Sequence, residues 1–356
     1  MSTAPVTLAA VAWSTLGVVA FVALLFVGSL LLPGAEQPGA ARSDGTRILY
    51  RCNGLALFVL ALLTVAGVEL VGPGLAPLAQ NAWSLLIAAN LLAFPACAVL
   101  FLTGRSTGRK SARDFFYGVE RDPQLLGIDL KMFSYRPSLI GLALMNLSFA
   151  SLQHAATGTV SLAMLLYQVF TLLYVANYFQ FEHGMVFTWD IVEERFGWML
   201  VWGDYVLVPF FYSLPAAYVL SRERPLPPLA AVALVLLYAL GFWVFRGANG
   251  QKHRFKQNAA TARIWGRPAA TLGGSLLVSG FWGIGRKLNY SGELTMYVAW
   301  TMLAGCASPV PYLLPAWLAV LLTHRALRDD RRCRAKCGTL WEEYCRRARF
   351  RMFPYL

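Results

Sequence analysis

Residues 8–32 read LAAVAWSTLGVVAFVALLFVGSLLL, an apolar run without a single charged side chain. A helix needs about 20 such residues to cross the hydrocarbon core of a bilayer. Further runs of this kind lie at 52–71, 82–103, 137–156, 160–182, 198–220 and 228–246. The 356 residues are 57% hydrophobic and 14% charged, against an apolar share of about 45–50% in soluble domains. The sequence therefore predicts an all-α, multi-pass integral membrane protein and excludes a soluble enzyme.

The C-terminal half is less regular than the first seven runs. Segment 271–285 is short and interrupted by glycines, and 294–322 carries Gly305, Pro309 and Pro315. These patterns predict a short or re-entrant helix followed by a tight hairpin of two helices. Irregular backbone at membrane depth persists only where protein covers it or a wet cavity adjoins it. We therefore expect the functional site in this half of a single membrane domain spanning 1–356.

Basic residues outnumber acidic ones, with 31 Lys and Arg against 18 Asp and Glu. Most of them lie at 42–51, 105–136, 246–267 and 324–351. Cytoplasmic loops of membrane proteins carry such an excess, which predicts a cytoplasmic C-terminus. Anionic lipid headgroups are the ordinary partner of basic segments beside a membrane. A cofactor that bears phosphate groups is the competing interpretation, and no nucleic-acid partner is expected.

Two basic segments contain candidate binding residues. Segment 246–267 places Lys252 and Lys256 among amide and aromatic side chains, which suits a diphosphate, a ribose and an adenine. Arg325 and Asp329 are four residues apart at the membrane boundary, which fits either a surface ion pair or a functional site. Tyr344 follows on the same stretch, where core packing is the equal alternative.

Polar side chains also border the fifth and sixth apolar runs. They are Tyr174, Asn177, Glu182, Asp190 and Asp204. A carboxyl group at such depth is uncharged or paired, and a proton donor can use either state.

Neither a metal site nor a nucleotide-binding loop is evident. The six cysteines show no paired framework, which predicts free thiols. Cys333 and Cys337 lie one helical turn apart, but no second ligand pair follows, so no metal is expected. No Gly-x-Gly-x-x-Gly or Walker loop occurs, so a nucleotide cofactor would bind without a Rossmann fold.

A chain of motifs from about residue 113 onward resembles the sterol C-14/C-7/C-24(28) reductase family. The motifs are DFFYGVE (114–120), GIDLKMF (127–133), LYV (173–175), FGWMLVWGD (196–204), NGQKHRF (249–255), SGFWG (279–283) and the stretch from His324 to Tyr344. The resemblance implies about ten transmembrane helices, NADPH as cofactor, and a sterol that enters from the bilayer. It divides the domain into N-terminal helices, 1–110, and a reductase core, 111–356.

The resemblance also implies roles for individual residues. Tyr174 and Asp329 are the proton-relay candidates. Positions expected around NADPH are Lys252, Lys256, Trp282, Arg286, Asn289, Tyr290, Arg325, Lys336 and Tyr344. Those assigned to the sterol pocket are Glu182, Asp190, Trp202 and Asp204. The chain departs from the family pattern at Asn177, Lys256, Lys287 and Cys337.

The double bond that is reduced is harder to assign. Segments 196–204, 263–267 and 279–283 are more similar to the 7-dehydrocholesterol branch, which favours the Δ7 bond, with Δ14 and Δ24 as alternatives. Two other classes stay open. One is a membrane methyltransferase of the isoprenylcysteine carboxyl type, and the other is a sterol-binding scaffold without catalysis.

Overall fold

The computed structural model describes residues 4–42, 45–106, 108–222 and 224–353. The chain divides into two compact units, Met1–Ser221 and Arg222–Leu356, which are taken separately below. The single membrane domain expected from the sequence, with its division after residue 110, stays a prediction.

Unit one consists mainly of helices with two small antiparallel hairpins. The helices are α1 (Leu8–Leu31), α2 (Gly54–Val71), α3 (Ala76–Gln80), α4 (Ala82–Thr103), α5 (Ala112–Tyr117), α6 (Leu130–Thr157), α7 (Leu162–Gln180), α8 (Glu182–Met185), α9 (Trp189–Val192), α10 (Trp198–Trp202) and α11 (Leu214–Leu220). Strand β1 (Ala35–Pro38) pairs with β2 (Leu49–Cys52), and β3 (Gln124–Leu125) pairs with β4 (Ile128–Asp129).

Unit two has five α-helices and two further hairpins among its described residues. Its helices are α12 (Pro228–Gln257), α13 (Phe281–Ile284), α14 (Leu288–Met302), α15 (Leu313–Cys337) and α16 (Thr339–Arg347). Strand β5 (Arg263–Ile264) pairs with β6 (Arg267–Pro268), and β7 (Thr271–Leu272) pairs with β8 (Leu276–Leu277).

The multi-pass helical architecture is confirmed. In the described part of the chain, 8 helical segments are long and apolar enough to cross a membrane. Seven of them match the apolar runs, and the eighth is Val310–Cys337. The resemblance implied about ten transmembrane helices. Helix α14 has only 15 residues, fewer than the roughly 20 that a membrane span needs.

The sixth span is less regular than its apolar run suggested. Between α10 and α11 the chain forms a π-helical segment, Gly203–Phe211. Pro209 lies in this segment and has no N–H for the carbonyl four residues earlier, so the α-helical ladder cannot continue through it. The segment carries Asp204.

Helix α6 begins earlier than predicted. Residues up to 136 were assigned to a cytoplasmic loop, but the helix starts at Leu130. Asp129 caps it by accepting a hydrogen bond of 2.8 Å from the Met132 backbone N–H. In its first turns Lys131, Ser134 and Arg136 are buried and Tyr135 is half-buried. Each of the four has a partner in unit one. The hydropathy pattern misplaced the start because these charges are satisfied by protein and not by water.

Two predictions for unit two need correction as well. Helix α12 was expected to end at 246, but it continues to Gln257 and carries Lys252 and Lys256 on its last turns. Segment 271–285 is no re-entrant helix, because it forms the β7–β8 hairpin and the single turn α13. The hairpin turns at Gly273 and Gly274, whose φ angles are +54° and +66°. The predicted helical hairpin over 294–322 is confirmed as α14 and α15.

Gly280 determines how α13 meets α12. Its φ angle is +62°, and a Cβ atom there would lie 2.3 Å from the Gln251 Oε1 atom. That same oxygen accepts a hydrogen bond of 2.9 Å from the Phe281 N–H. Glycine is therefore needed at this position for both conformation and space.

We expect Lys131→Met to destabilise the protein more than any exposed lysine or arginine change in unit one. The buried Lys131 ammonium donates to the Ile191 and Glu194 carbonyls, at 2.7 Å each, and lies 3.6 Å from Asp122. Loss of the cation leaves these groups without it, which costs about 2–4 kcal/mol. Thermal unfolding of purified protein in detergent measures the change. Arg109→Met, at an exposed position, is the control, and equal melting temperatures for both variants would contradict the expectation.

Candidate functional site

A buried ion pair marks the centre of the candidate site in unit two. The Lys287 ammonium, just before α14, bonds to the Asp329 carboxylate on α15. Lys287 is only 6% exposed. Burial alone would lower the pKa of Lys287, but the Asp329 carboxylate outweighs burial and holds that pKa above its usual value. A cation at this position is therefore kept charged inside protein.

Lys252 and Trp282 form the second element of the site. The Lys252 ammonium lies 4.3 Å from the centre of the Trp282 ring, which is a cation–π contact. The indole N–H donates to the Ala248 carbonyl at 2.8 Å, which fixes the ring against α12. Lys252 is also within electrostatic range of Lys287 and Asp329. The two elements therefore belong to one cluster.

Arg286 and Tyr344 tie the C-terminal segment to this cluster. The Arg286 guanidinium donates to the Ala348 carbonyl at 2.8 Å and lies 3.7 Å from Asp330. The Tyr344 hydroxyl donates to the Trp282 carbonyl at 3.0 Å. Both side chains were predicted to contact a cofactor, and both are largely engaged with the chain itself. Their direct contribution to cofactor binding stays a prediction.

Several buried polar atoms of the cluster lack a hydrogen-bond partner within the described residues. They are the Arg286 Nε, the Asn289 Oδ1 and the Asp330 Oδ1. Asn289 also donates to the Asn249 Oδ1 at 3.3 Å. Buried polar groups are normally paired. The Arg286 N–H suits an anionic group of a ligand, whereas the two oxygens suit hydrogen-bond donors of the same ligand.

Further predicted residues lie close by. Tyr290 is within electrostatic range of Lys287 and Arg325, and Lys256 is within range of Asp329 and Lys336. Lys256 and Lys336 are exposed, and Arg325 is half-buried. The structure thus brings together the residues of unit two that the sequence analysis assigned to the cofactor.

Lys287 is a central residue that the sequence analysis did not assign to the site. It appeared only as a departure from the family pattern. The available signal was a second cation directly after Arg286, beside a glycine-interrupted segment. Only the contact with Asp329, 42 residues later, shows what the side chain does.

In unit one, three consecutive residues of α6 bind the three predicted carboxylates. Ser134 donates to Asp204, Tyr135 donates to Asp190 at 3.1 Å, and Arg136 lies 3.2 Å from Glu182. Successive helix residues project about 100° apart, so the three acidic groups contact α6 on different sides. Their assignment to the sterol site stays a prediction.

Glu182 also contacts the start of α2. Its second oxygen accepts a hydrogen bond of 2.8 Å from the Gly54 backbone N–H at the start of α2. Burial raises the pKa of Glu182, although Arg136 and this hydrogen bond oppose the rise. The remaining predicted substrate residue, Trp202, donates to the Asn90 Oδ1 at 3.1 Å and stacks on Trp198 at 5.3 Å.

Tyr174 lies on α7 and is 6% exposed. Its ring centre is 6.2 Å from that of Tyr178, one helical turn further along. Tyr174 belongs to unit one and the second proton-relay candidate, Asp329, to unit two. The common cavity predicted for them stays a prediction.

Comparison with known proteins places these residues in a family. Residues 6–356 match the ergosterol biosynthesis ERG4/ERG24 family. The chain is 39% identical to a Delta(14)-sterol reductase of Arabidopsis thaliana, with 93% of each protein covered. It is 38% identical to a Delta(14)-sterol reductase of Methylotuvimicrobium alcaliphilum, covering 90% of this chain and 78% of that protein. It is 40% identical to the Delta(14)-sterol reductase TM7SF2 of Mus musculus, covering 93% and 83%. The chain therefore belongs to the ergosterol biosynthesis ERG4/ERG24 family.

Proposed function

We propose that this chain is a membrane oxidoreductase that reduces the Δ14 double bond of a sterol with NADPH. The observation that carries the proposal is the similarity, over nine-tenths of the chain, to three relatives from distant organisms that are all named for this bond. The motif comparison within the sequence favoured Δ7, which these relatives do not support. Δ7 and Δ24 reduction are therefore kept as outcomes of the test.

NADPH fits the donor set of unit two. Lys252, Lys256, Arg325 and Lys336 supply cations for its phosphates, and the Asn289 oxygen and Arg286 Nε supply buried polar atoms for its other groups. The buried Trp282 ring lies against Lys252 and so sets the position of that cation. When bound, NADPH supplies the hydride.

The protein supplies the proton. An isolated alkene accepts a hydride poorly until a proton has been added to one of its carbons. We assign that proton to the Tyr174 hydroxyl, which is buried among α7 neighbours. Asp329 is the second relay residue, held in place by Lys287.

The spans and charges support a location and an orientation. The basic segments favour a cytoplasmic C-terminus, where NADPH is available. The membrane is the cytoplasmic membrane in a bacterium or the endoplasmic reticulum in a eukaryote. Surrounding lipids and the sterol are the expected partners.

Product analysis tests the proposed reaction. Purified full-length protein is supplied with NADPH and, in separate reactions, with Δ14, Δ7 and Δ24 sterols, and products are analysed by mass spectrometry. We expect reduction of the Δ14 sterol. Preferential reduction of the Δ7 or Δ24 sterol would overturn the bond assignment. Binding of labelled S-adenosylmethionine would favour the methyltransferase alternative, and sterol binding without NADPH binding would favour the scaffold.

Removal of the charge at Arg325 or Lys336 should weaken cofactor binding. We expect Arg325→Gln and Lys336→Gln to raise the KM for NADPH by about tenfold each, because each removes a charge-assisted contact of about 1.5 kcal/mol. Added salt should enlarge the wild-type KM, since exposed charges are screened. The control is Arg109→Gln, an exposed cation in the other unit. Equal use of NADH and NADPH by the wild type would contradict the phosphate assignment.

Loss of the Tyr174 hydroxyl should abolish most turnover. Tyr174→Phe keeps the ring and its packing but removes the acid, and one general acid commonly contributes about 10²–10⁴-fold. We expect kcat to fall by this factor while the NADPH dissociation constant and the melting temperature stay unchanged. Near-normal reduction by this variant would remove Tyr174 from the mechanism.

A further inference from the structure

We propose that Asp190, Tyr135 and Tyr178 form a proton route that recharges Tyr174 from the aqueous side of unit one. The inference rests on the proposed function, because it assumes that Tyr174 loses a proton in each turnover. Every residue of the route lies in unit one.

The first step of the route is a hydrogen bond between α6 and α9. The Tyr135 hydroxyl donates to the Asp190 Oδ2 at 3.1 Å. Asp190 is 8% exposed and Tyr135 is half-buried. A carboxyl and a phenol at this distance can exchange a proton along the bond that already joins them.

The next steps follow a series of tyrosine rings. The Tyr135 and Tyr178 ring centres are 6.1 Å apart, and their planes are tilted by 31°. Tyr178 and Tyr174 are 6.2 Å apart, with a tilt of 44°. Tyr174 and Tyr178 lie one turn apart on α7. The route places a bridging water between successive hydroxyls.

The far end of the route adjoins a polar cavity. A cavity is lined by Ile191 and Val192 of the Asp190 segment and by Arg42, Arg121 and Asp122. Lys131 holds this segment by donating to the Ile191 and Glu194 carbonyls. The charged groups beside this segment are Lys131 on α6, Glu194 on the segment itself, and Arg42, Arg121 and Asp122 at the cavity. Asp190 directly precedes Ile191 and Val192, which line this cavity.

The proton balance of the route is simple. The Tyr174 hydroxyl gives a proton to one alkene carbon, and the hydride forms the new C–H bond at the other. The resulting tyrosinate takes a proton from Tyr178, Tyr178 from Tyr135, and Tyr135 from Asp190 once that carboxylate has been protonated from the solvent. Asp190 takes this one proton from water. One proton and one hydride enter per sterol, and Asp190, Tyr135 and Tyr178 act only through Tyr174.

Asp190→Asn tests the route in the purified full-length protein with NADPH and a Δ14 sterol. We expect kcat to fall by about 10–100-fold, within the range that one proton-transfer group contributes, while the KM for NADPH changes less than twofold. The residual kcat should decline as pH rises, because the proton must then come directly from water. The solvent deuterium isotope effect on kcat should increase. Sodium azide, whose conjugate acid carries protons, should restore part of the rate.

Matched variants separate the route from a structural role. Tyr135→Phe and Tyr178→Phe should lower kcat like Asp190→Asn, and Asp190→Glu should retain most of it. Tyr167→Phe removes a fully buried hydroxyl from the same helix, 3.4 Å from Asn146, and should leave kcat unchanged. Melting temperatures verify that each variant is folded.

The outcomes distinguish the two proposals. If the wild type reduces no sterol, the proposed function fails. If the wild type is active and Asp190→Asn keeps its kcat, pH profile and isotope effect, the proton route is overturned. The route is also overturned if kcat falls but azide does not restore it and the pH profile stays unchanged. Asp190 would then only hold the structure in place.

Discussion

The start of α6 is the constraint on which unit one depends. Four of its side chains between Lys131 and Arg136 are polar and bound to segments far away in the chain, and three of them are buried. An unpaired charge inside protein or lipid is costly, so each of these groups requires its partner. Satisfying them determines the positions of α2, α9 and the π-helical segment around one helix. Removal of any single partner would leave a polar group in an apolar environment without a hydrogen bond or ion pair.

Unit two has a corresponding anchor at its C-terminal segment. Arg286 and Lys287 bind it through the Ala348 carbonyl and the Arg351 carbonyl, and Lys287 also holds Asp329. Ser291 donates to the Met352 carbonyl from the next turn. Residues 348–352 therefore pack beside the candidate cofactor site. The contacts that stabilise this segment are made by Arg286 and Lys287, next to residues that were predicted to bind the cofactor.

Features that depend on local sequence were predicted correctly. The apolar runs predicted seven spans, and the clustering of Lys252, Trp282, Asn289 and Asp329 was expected from their motifs. The predicted helix ends were wrong at 130–136 and 247–257, where charged residues continue a helix. Hydropathy treats a charge as a sign of solvent exposure, but at 130–136 protein groups pair with the charged side chains, and at 247–257 Lys252 lies over the Trp282 ring. The Δ7 preference rested on short motifs, whereas the relatives support Δ14 over nearly the whole chain.

The sequence alone determined that this chain is a multi-pass helical protein, because the length and apolarity of each run are sufficient to specify a span. Local turn chemistry likewise predicted the breaks in the C-terminal half. Tertiary structure alone decided which polar groups are partners: Ser134 with Asp204, Tyr135 with Asp190, and Lys287 with Asp329. The physical reason is that such pairs form between residues 42 to 70 positions apart. No periodicity or spacing within one segment contains that information.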